Sequence, residues 1–258
     1  MTANPYDFLD ILADAAAEAV MPHFRANIGV ENKLAEEFDP VTIADKAVEE
    51  AIRALIHKHF PDHGILGEEF DNVALDAEHV WILDPIDGTR AFISGLPTWG
   101  TLIGHKVNGR AKFGMMSQPF TAERYFGDGK SSQYKGPGGP QNLMTRGCKS
   151  LSDATLFTTS PHQFSKSKID RFKAIEQQVK LSRYGMDCYA YCMVARGSVD
   201  LVIEDGLEAY DIAALIPIIE GAGGRVTTWD GGNAVDGGSI VACGDPSLHE
   251  QVLKLLSD

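Results

Sequence analysis

Long apolar runs are missing from this chain. The most continuous stretches, such as Ala213–Ile219, fall far short of the roughly 20 residues that a bilayer span needs, so no membrane partner is expected. Cysteine is scarce. Cys148, Cys188, Cys192 and Cys243 are the full complement, and no two of them form a C-x-x-C pair. Neither a disulfide framework nor a cysteine zinc site is expected. Four free thiols fit a reducing compartment, which points to the cytoplasm. The segment Met1–Asp7 has no basic stretch ahead of an apolar one and does not read as a signal peptide. Positive charge is in deficit too: 23 Lys and Arg stand against 36 Asp and Glu, a formal net charge of −13. Such a chain repels a phosphate backbone, so no nucleic-acid partner is expected. A small phosphorylated substrate stays open, because bound cations reverse the local sign. No fixed-period repeat is present.

What is present reads as a layered α/β protein. The 258 residues are 44% hydrophobic, enough for one large domain or two modest ones sharing an interface. Apolar spacing predicts helices over Tyr6–Phe24 and Val41–Phe60, separated by a charged loop over Gly29–Asp39. Strands are expected at Gly64–Gly67, His79–Leu83, Trp99–Val107, Lys112–Ser117 and Glu123–Gly127, with Asn108-Gly109 as a hairpin turn. Lys130–Gln141 is rich in Gly, Pro and Ser and reads as a surface loop and boundary. The division is therefore an α+β half over 1–140 and an α/β half over 141–258. The second half alternates. Strands are expected at Thr155–Thr159, Val199–Glu204, Arg225–Trp229 and Ser239–Cys243, and helices at Ser165–Val179, Cys188–Arg196, Tyr210–Glu220 and Pro246–Leu256. Gly221-Ala222-Gly223-Gly224 is a helix stop and not a phosphate loop. His57, His59 and His63, near a helix end, are expected to complement the helix dipole or to be solvated.

The chemistry concentrates in Trp81-Ile82-Leu83-Asp84-Pro85-Ile86-Asp87-Gly88-Thr89. An apolar strand delivers two acids into a turn. Pro85 has no N–H and stops the ladder. Gly88 permits a conformation and an approach that a Cβ forbids. Thr89 opens a short helix over 90–94 whose free N–H groups can receive an anion. Asp84 and Asp87 could do no more than cap this turn. Two further acids follow other elements, Glu68 after Gly64–Gly67 and Asp211 at a helix start; Glu69 reads as a solvated strand-end acid. If these acids converge, like charges a few ångströms apart cost several kcal/mol at protein-like dielectric, on the order of 4 kcal/mol per pair. Protons or divalent cations must then neutralise them, and an all-oxygen set suits a hard ion such as Mg²⁺.

Gly67-Glu68-Glu69, Asp84-Pro85-Ile86-Asp87-Gly88-Thr89 and Tyr210-Asp211-Ile212-Ala213-Ala214, with Asp39-Pro40-Val41-Thr42-Ile43-Ala44-Asp45, resemble the inositol monophosphatase family over nearly the whole chain. That resemblance implies an αβαβα layered sandwich, a homodimer and Mg²⁺-dependent hydrolysis of a phosphate monoester. It implies that Glu68, Asp84 and the Ile86 carbonyl hold a first Mg²⁺, that Asp84, Asp87 and Asp211 hold a second, and that Glu68 helps to hold a third. It implies that the Gly88 and Thr89 amides bind phosphate, and that Thr89, hydrogen-bonded to Asp45, orients the attacking water. Tyr210 stands where the family usually has Trp and keeps an aromatic wall.

Arg183-Tyr184-Gly185-Met186-Asp187-Cys188-Tyr189-Ala190-Tyr191 and the run Arg90–Thr101 resemble the histidinol-phosphate phosphatase branch of that family. Gly185, Asp187 and Glu204 fall at substrate-contacting positions, and Arg183 reads as a surface salt bridge. Acids at Asp187 and Glu204 would suit a cationic alcohol, since a buried ammonium needs a paired charge. The expectation is hydrolysis of L-histidinol phosphate in histidine biosynthesis. An inositol-1-phosphate phosphatase with relaxed choice of alcohol is the alternative. A non-catalytic scaffold or phosphate sensor is disfavoured by the retention of Asp45, Glu68, Asp84, Asp87, Thr89 and Asp211.

Overall fold

A computed structural model describes residues 5–26, 30–32 and 40–257. Helix α1 (Pro5–Val20) is followed by a small antiparallel pair, β1 (Val30–Asn32) and β2 (Pro40–Thr42), which leads into α2 (Ile43–His59). Most of the charged loop expected over 29–39 lies outside the described residues. Strands β3 (Gly64–Gly67) and β4 (His79–Asp87), helix α3 (Thr89–Ile93), and strands β5 (Gly100–Val107), β6 (Arg110–Gln118), β7 (Glu123–Gly127), β8 (Ser132–Lys135) and β9 (Gln141–Asn142) come next. These strands form one seven-stranded sheet in chain order, antiparallel except for β3–β4.

The rest of the chain is β10 (Thr155–Thr158), α4 (Ile169–Glu176), β11 (Leu181–Tyr184), α5 (Asp187–Ala195), β12 (Leu201–Leu207), α6 (Ala209–Ile212), α7 (Leu215–Gly221), β13 (Arg225–Thr228), β14 (Gly238–Cys243) and α8 (Pro246–Ser257). Its five strands run in the order β11-β10-β12-β14-β13.

Alternating side chains of single strands enter different cores, which is why the layers stack. Trp81 and Leu83 of β4 join Leu9, Leu12, Ile52 and Ile56 of α1 and α2. Val80 and Ile82, on the opposite face, join Tyr191, Cys192, Ala213 and Ile218 of the helices between the sheets, with Val202 and Ile240 closing that core from the second sheet. Leu201, Ile203 and Val241 face outward onto Phe172 of α4 and Leu248 and Val252 of α8. The result is the αβαβα sandwich. Each fully buried Leu or Ile contributes about 1.5–3 kcal/mol of transfer free energy. No helix among the described residues is long and apolar enough to cross a membrane.

Two local expectations are corrected, and one strand is added. The stretch 130–141 is not all loop: β8 pairs antiparallel with β7 in the first sheet, and its buried Ser132 and Tyr134 donate to the Ile218 carbonyl (2.6 Å) and to Glu123 (3.1 Å). The helix expected over 210–220 is two helices, since Pro217 has no N–H to offer the carbonyl four residues back and α7 starts only at Leu215. The edge strand β11 escaped notice because Leu181, Arg183 and Tyr184 are exposed and carry no apolar alternation.

Candidate active site

Strand β4 runs on through Asp84-Pro85-Ile86 instead of ending at Leu83, and it does so irregularly. Asp84 pairs with Leu102 and Asp87 with Gly100, so three steps on β4 match two on β5. In a regular strand, residues three apart face opposite sides. The bulge resets this alternation, so the two acids reach one pocket. Pro85 belongs there because its ring nitrogen has no ladder bond to give, while its carbonyl accepts from the buried Thr101 hydroxyl (2.8 Å).

Asp211, in the first turn of α6, joins them: one carboxylate oxygen from each of Asp84, Asp87 and Asp211 lies within 4.8 Å of the others. Asp87 and Asp211 are held from behind. The Asp87 Oδ2 accepts the Cys188 N–H (2.5 Å) at the start of α5. The Asp211 Oδ2 accepts the Glu208 N–H (2.7 Å) in a reciprocal cap of α6. Glu68 follows the last residue of β3, and its charge is felt by both Asp84 and Asp211. Asp45 sits buried in the first turn of α2 and also raises Asp84.

The crowding is visible in the titration of these acids. Asp84 is pushed far above the usual carboxylate range, by burial first and then by Glu68, Asp87, Asp211 and Asp45. Asp87 is raised by burial, Asp187 and Asp211, against the Cys188 hydrogen bonds. Burial is also the main reason that Asp211 rises to about 7. The half-buried Tyr210 hydroxyl is raised by burial and by Glu68 and Asp211. The Asp84 Oδ1 is fully buried with no hydrogen-bond partner. Three converging carboxylates with an orphaned oxygen form a hard, all-oxygen donor set that a divalent cation satisfies.

Gly67 and Gly88 are required by space and conformation. A Cβ on Gly67 would lie 1.9 Å from the Glu49 Oε1. That buried carboxylate accepts the N–H groups of Glu69 (2.8 Å) and Phe70 (3.3 Å) and pairs with Arg53 (2.7 Å), fixing the turn that carries Glu68. Sequence reasoning missed Glu49. Its only legible signal is the i,i+4 spacing to Arg53. Gly88 has φ of +85° and lets α3 start immediately after Asp87. Its backbone also faces the Asp187 carboxyl, whose Cγ lies 3.1 Å from where a Cβ would stand.

The hydrogen bond described for the Thr89 hydroxyl goes to the Ile86 carbonyl (3.0 Å), not to Asp45. Asp187 adopts a left-handed φ of +43°, and burial raises its carboxyl to about 6 against the pull of Arg90. Gly185, also left-handed, is exposed, and its carbonyl accepts from Thr98 (3.5 Å). Glu204, expected at a substrate-contacting position, lies within β12. It is 2% exposed, and its two oxygens accept from the Thr158 hydroxyl (3.1 Å) and the Thr159 N–H (2.6 Å). Burial, against these bonds, raises it to about 7. It therefore meets a ligand with fewer free acceptor positions than an open carboxylate. Arg183 is exposed, and no ion pair joins it to another described residue. His63 is not a dipole partner of α2. It stacks on His79 (4.6 Å) and accepts from the Trp81 indole (3.1 Å).

A sequence profile of the inositol monophosphatase family matches residues 6–258. The Arabidopsis thaliana bifunctional phosphatase IMPL2, a chloroplastic protein, is 42% identical over 257 residues, covering 95% of this chain and 72% of that one. The histidinol-phosphatase of Mycobacterium tuberculosis is 34% identical over 252 residues, covering 95% of each. The solved structure of an inositol monophosphatase from Zymomonas mobilis superposes with a TM-score of 0.87 at 38% identity, covering 100% of both chains. The acid-lined pocket thus lies in a chain that is a phosphoric monoester hydrolase and belongs to the inositol monophosphatase family.

Proposed function

We propose that the chain hydrolyses L-histidinol phosphate to L-histidinol and phosphate, with two or three Mg²⁺ ions held by Glu68, Asp84, Asp87, Asp211 and the Ile86 carbonyl. When bound, such ions lower the pKa of water and neutralise charge on the phosphoryl and leaving oxygens. The chain's own residues do the rest. The Gly88 and Thr89 amides, presented by the left-handed turn at Gly88, donate to phosphate oxygens and hold them in a fixed orientation. The Thr89 hydroxyl has one proton. While it donates to Ile86, its lone pairs can accept from the attacking water; handing that proton toward Asp45 requires the hydroxyl to rotate away from Ile86. Asp45, buried in the first turn of α2, is the acceptor in this reading.

The observation that carries the substrate assignment is the Asp187 carboxyl packed against Gly88. A negative group beside the phosphate turn favours an alcohol with a cationic amine or imidazole. Gly185 frees the backbone that leads into it. Glu204, held by Thr158 and Thr159, adds negative potential from behind. The 34% identity to a histidinol-phosphatase supports the same choice. Inositol-1-phosphate is the second reading, favoured by the likeness to the Zymomonas mobilis enzyme. The homodimer rests on the family resemblance. The cytoplasmic assignment rests on four buried, free cysteines. Comparing kcat/KM for the two esters tests the substrate: wild type should prefer histidinol phosphate at least tenfold, and Asp187→Ala should erase that preference. Equal or reversed preference in the wild type removes the assignment and leaves the phosphatase standing.

A further inference from the structure

Helix α5 supplies the N–H that fixes Asp87, and it is tied across to the first sheet at a point outside the pocket. The Tyr189 hydroxyl, two residues after Asp187, donates to the Glu123 Oε2 (2.5 Å) at the first residue of β7. The same carboxylate collects the hydroxyls of Thr121 (2.8 Å), Tyr134 (3.1 Å) and Tyr125 (3.3 Å). Four hydroxyl donors on one partly buried carboxylate leave it little freedom to move. The anchor continues toward α3. The fully buried Gln118 donates to the carbonyls of Pro97 (3.3 Å) and Trp99 (3.0 Å) and accepts from the N–H of Thr121 (3.3 Å). A chain of bonds therefore runs from the segment behind α3, through Gln118, Thr121, Glu123 and Tyr189, to the first turn of α5 and back to Asp87.

We propose that the Glu123–Tyr189 hydrogen bond is a positioning device for the metal pocket: it sets the height of the α5 first turn, and with it the Cys188 N–H that aims the Asp87 carboxylate. Glu123 and Tyr189 are positioning residues, acting through Cys188 and Asp87. The physical reason lies in the 2.5 Å Cys188–Asp87 contact, which leaves no slack. A turn that drifts by a few tenths of an ångström rotates Asp87 away from Asp84 and Asp211. Metal sites lose about 10–100-fold in affinity when the groups orienting their ligands are removed. One further step out from the ligand, the loss should be smaller.

This inference rests on the metal reading of the pocket. The test is direct titration of the full chain with Mn²⁺ by calorimetry, alongside the Mg²⁺ dependence of phosphate release. Tyr189→Phe, which removes only the hydroxyl, should weaken Mn²⁺ binding about fivefold and raise the half-activating Mg²⁺ concentration equally, with kcat at saturating Mg²⁺ within twofold of wild type. Tyr134→Phe takes a hydroxyl from the same carboxylate at a residue that meets α5 only at its far end, where Arg196 lies over the ring (4.6 Å), and should leave Mn²⁺ affinity within twofold. Unchanged Mn²⁺ affinity in Tyr189→Phe, or an equal loss in both variants, overturns the proposal. A wild type that binds no Mn²⁺ would instead overturn the metal reading itself.

Discussion

Asp211→Asn should stabilise the metal-free protein and destabilise the metal-loaded one. Asp211 faces Asp84 and Asp87 with carboxylate oxygens inside 4.8 Å. At an effective dielectric of 20, each such pair of charges repels by about 3.5 kcal/mol, or about 7 kcal/mol for the two. Protonation relieves part of this, since Asp211 titrates at about 7. Removing the charge at pH 7.5 should therefore gain a net of about 1–3 kcal/mol, and Tm in EDTA should rise by about 3–8 °C for a chain of this size. The cap of α6 survives, because an Asn oxygen still accepts the Glu208 N–H. With saturating Mg²⁺ the sign inverts: the wild type gains binding free energy that the variant has lost, and its Tm should overtake. Calorimetric scans in EDTA and in Mg²⁺ give both numbers. A variant that is less stable than wild type in EDTA, or shifted equally in both conditions, refutes the view that the folded acids are held against their own repulsion.

Three more outcomes follow from the same geometry. Glu49→Ala strips a buried acceptor from the Glu69 and Phe70 amides and leaves Arg53 without its carboxylate; stability should fall by about 3–5 kcal/mol in a urea titration, and Mn²⁺ affinity should fall with it as Glu68 loses its frame. His105, stacked between His79 and Phe113, is held down to about 3 by burial and by the neighbouring imidazoles, and its Nε2 has no partner. A depressed folded pKa makes its contribution complete above about 6.5 and lost as pH falls toward 3, about 2 kcal/mol by pH 5. His105→Phe should flatten that part of the Tm-versus-pH profile, and an unchanged profile would show that the ring is not the acid-sensitive group. Leu83→Ala, at the centre of the core under α1 and α2, should cost about 2–5 kcal/mol in the same urea assay.

The layer order was legible because strands such as β4 and β12 are continuous apolar runs and α1 and α2 carry a clear apolar stripe. The acids were legible through the resemblance of Gly67-Glu68-Glu69, Asp84–Thr89 and Tyr210-Asp211 to the inositol monophosphatase family; the spacing alone left Asp84 and Asp87 open as turn caps. The parity reset between Asp84 and Asp87 was not, since a bulge is set by pairing with β5, which the local sequence does not encode. Glu49 and Glu123 were missed for a related reason. Each is a single acid on an amphipathic element, and its importance comes from amides and hydroxyls delivered by distant segments. Glu204 was legible as an acid on a strand, but not that Thr158, at the end of β10, and Thr159, just after it, take up its oxygens. The imidazole stack escaped because His63, His79 and His105 meet only when the loop before β3 folds over β4 and β5.

The most direct measurement is an anomalous-scattering map from crystals grown with Mn²⁺. Hard cations that balance the converging acids should give a strong peak ligated by Asp84, Asp87 and Asp211, and a second beside Glu68 and the Ile86 carbonyl. Acids found without scatterer among them at millimolar Mn²⁺, with the ion bound elsewhere, would mean that protons balance the pocket and that the metal assignment is wrong.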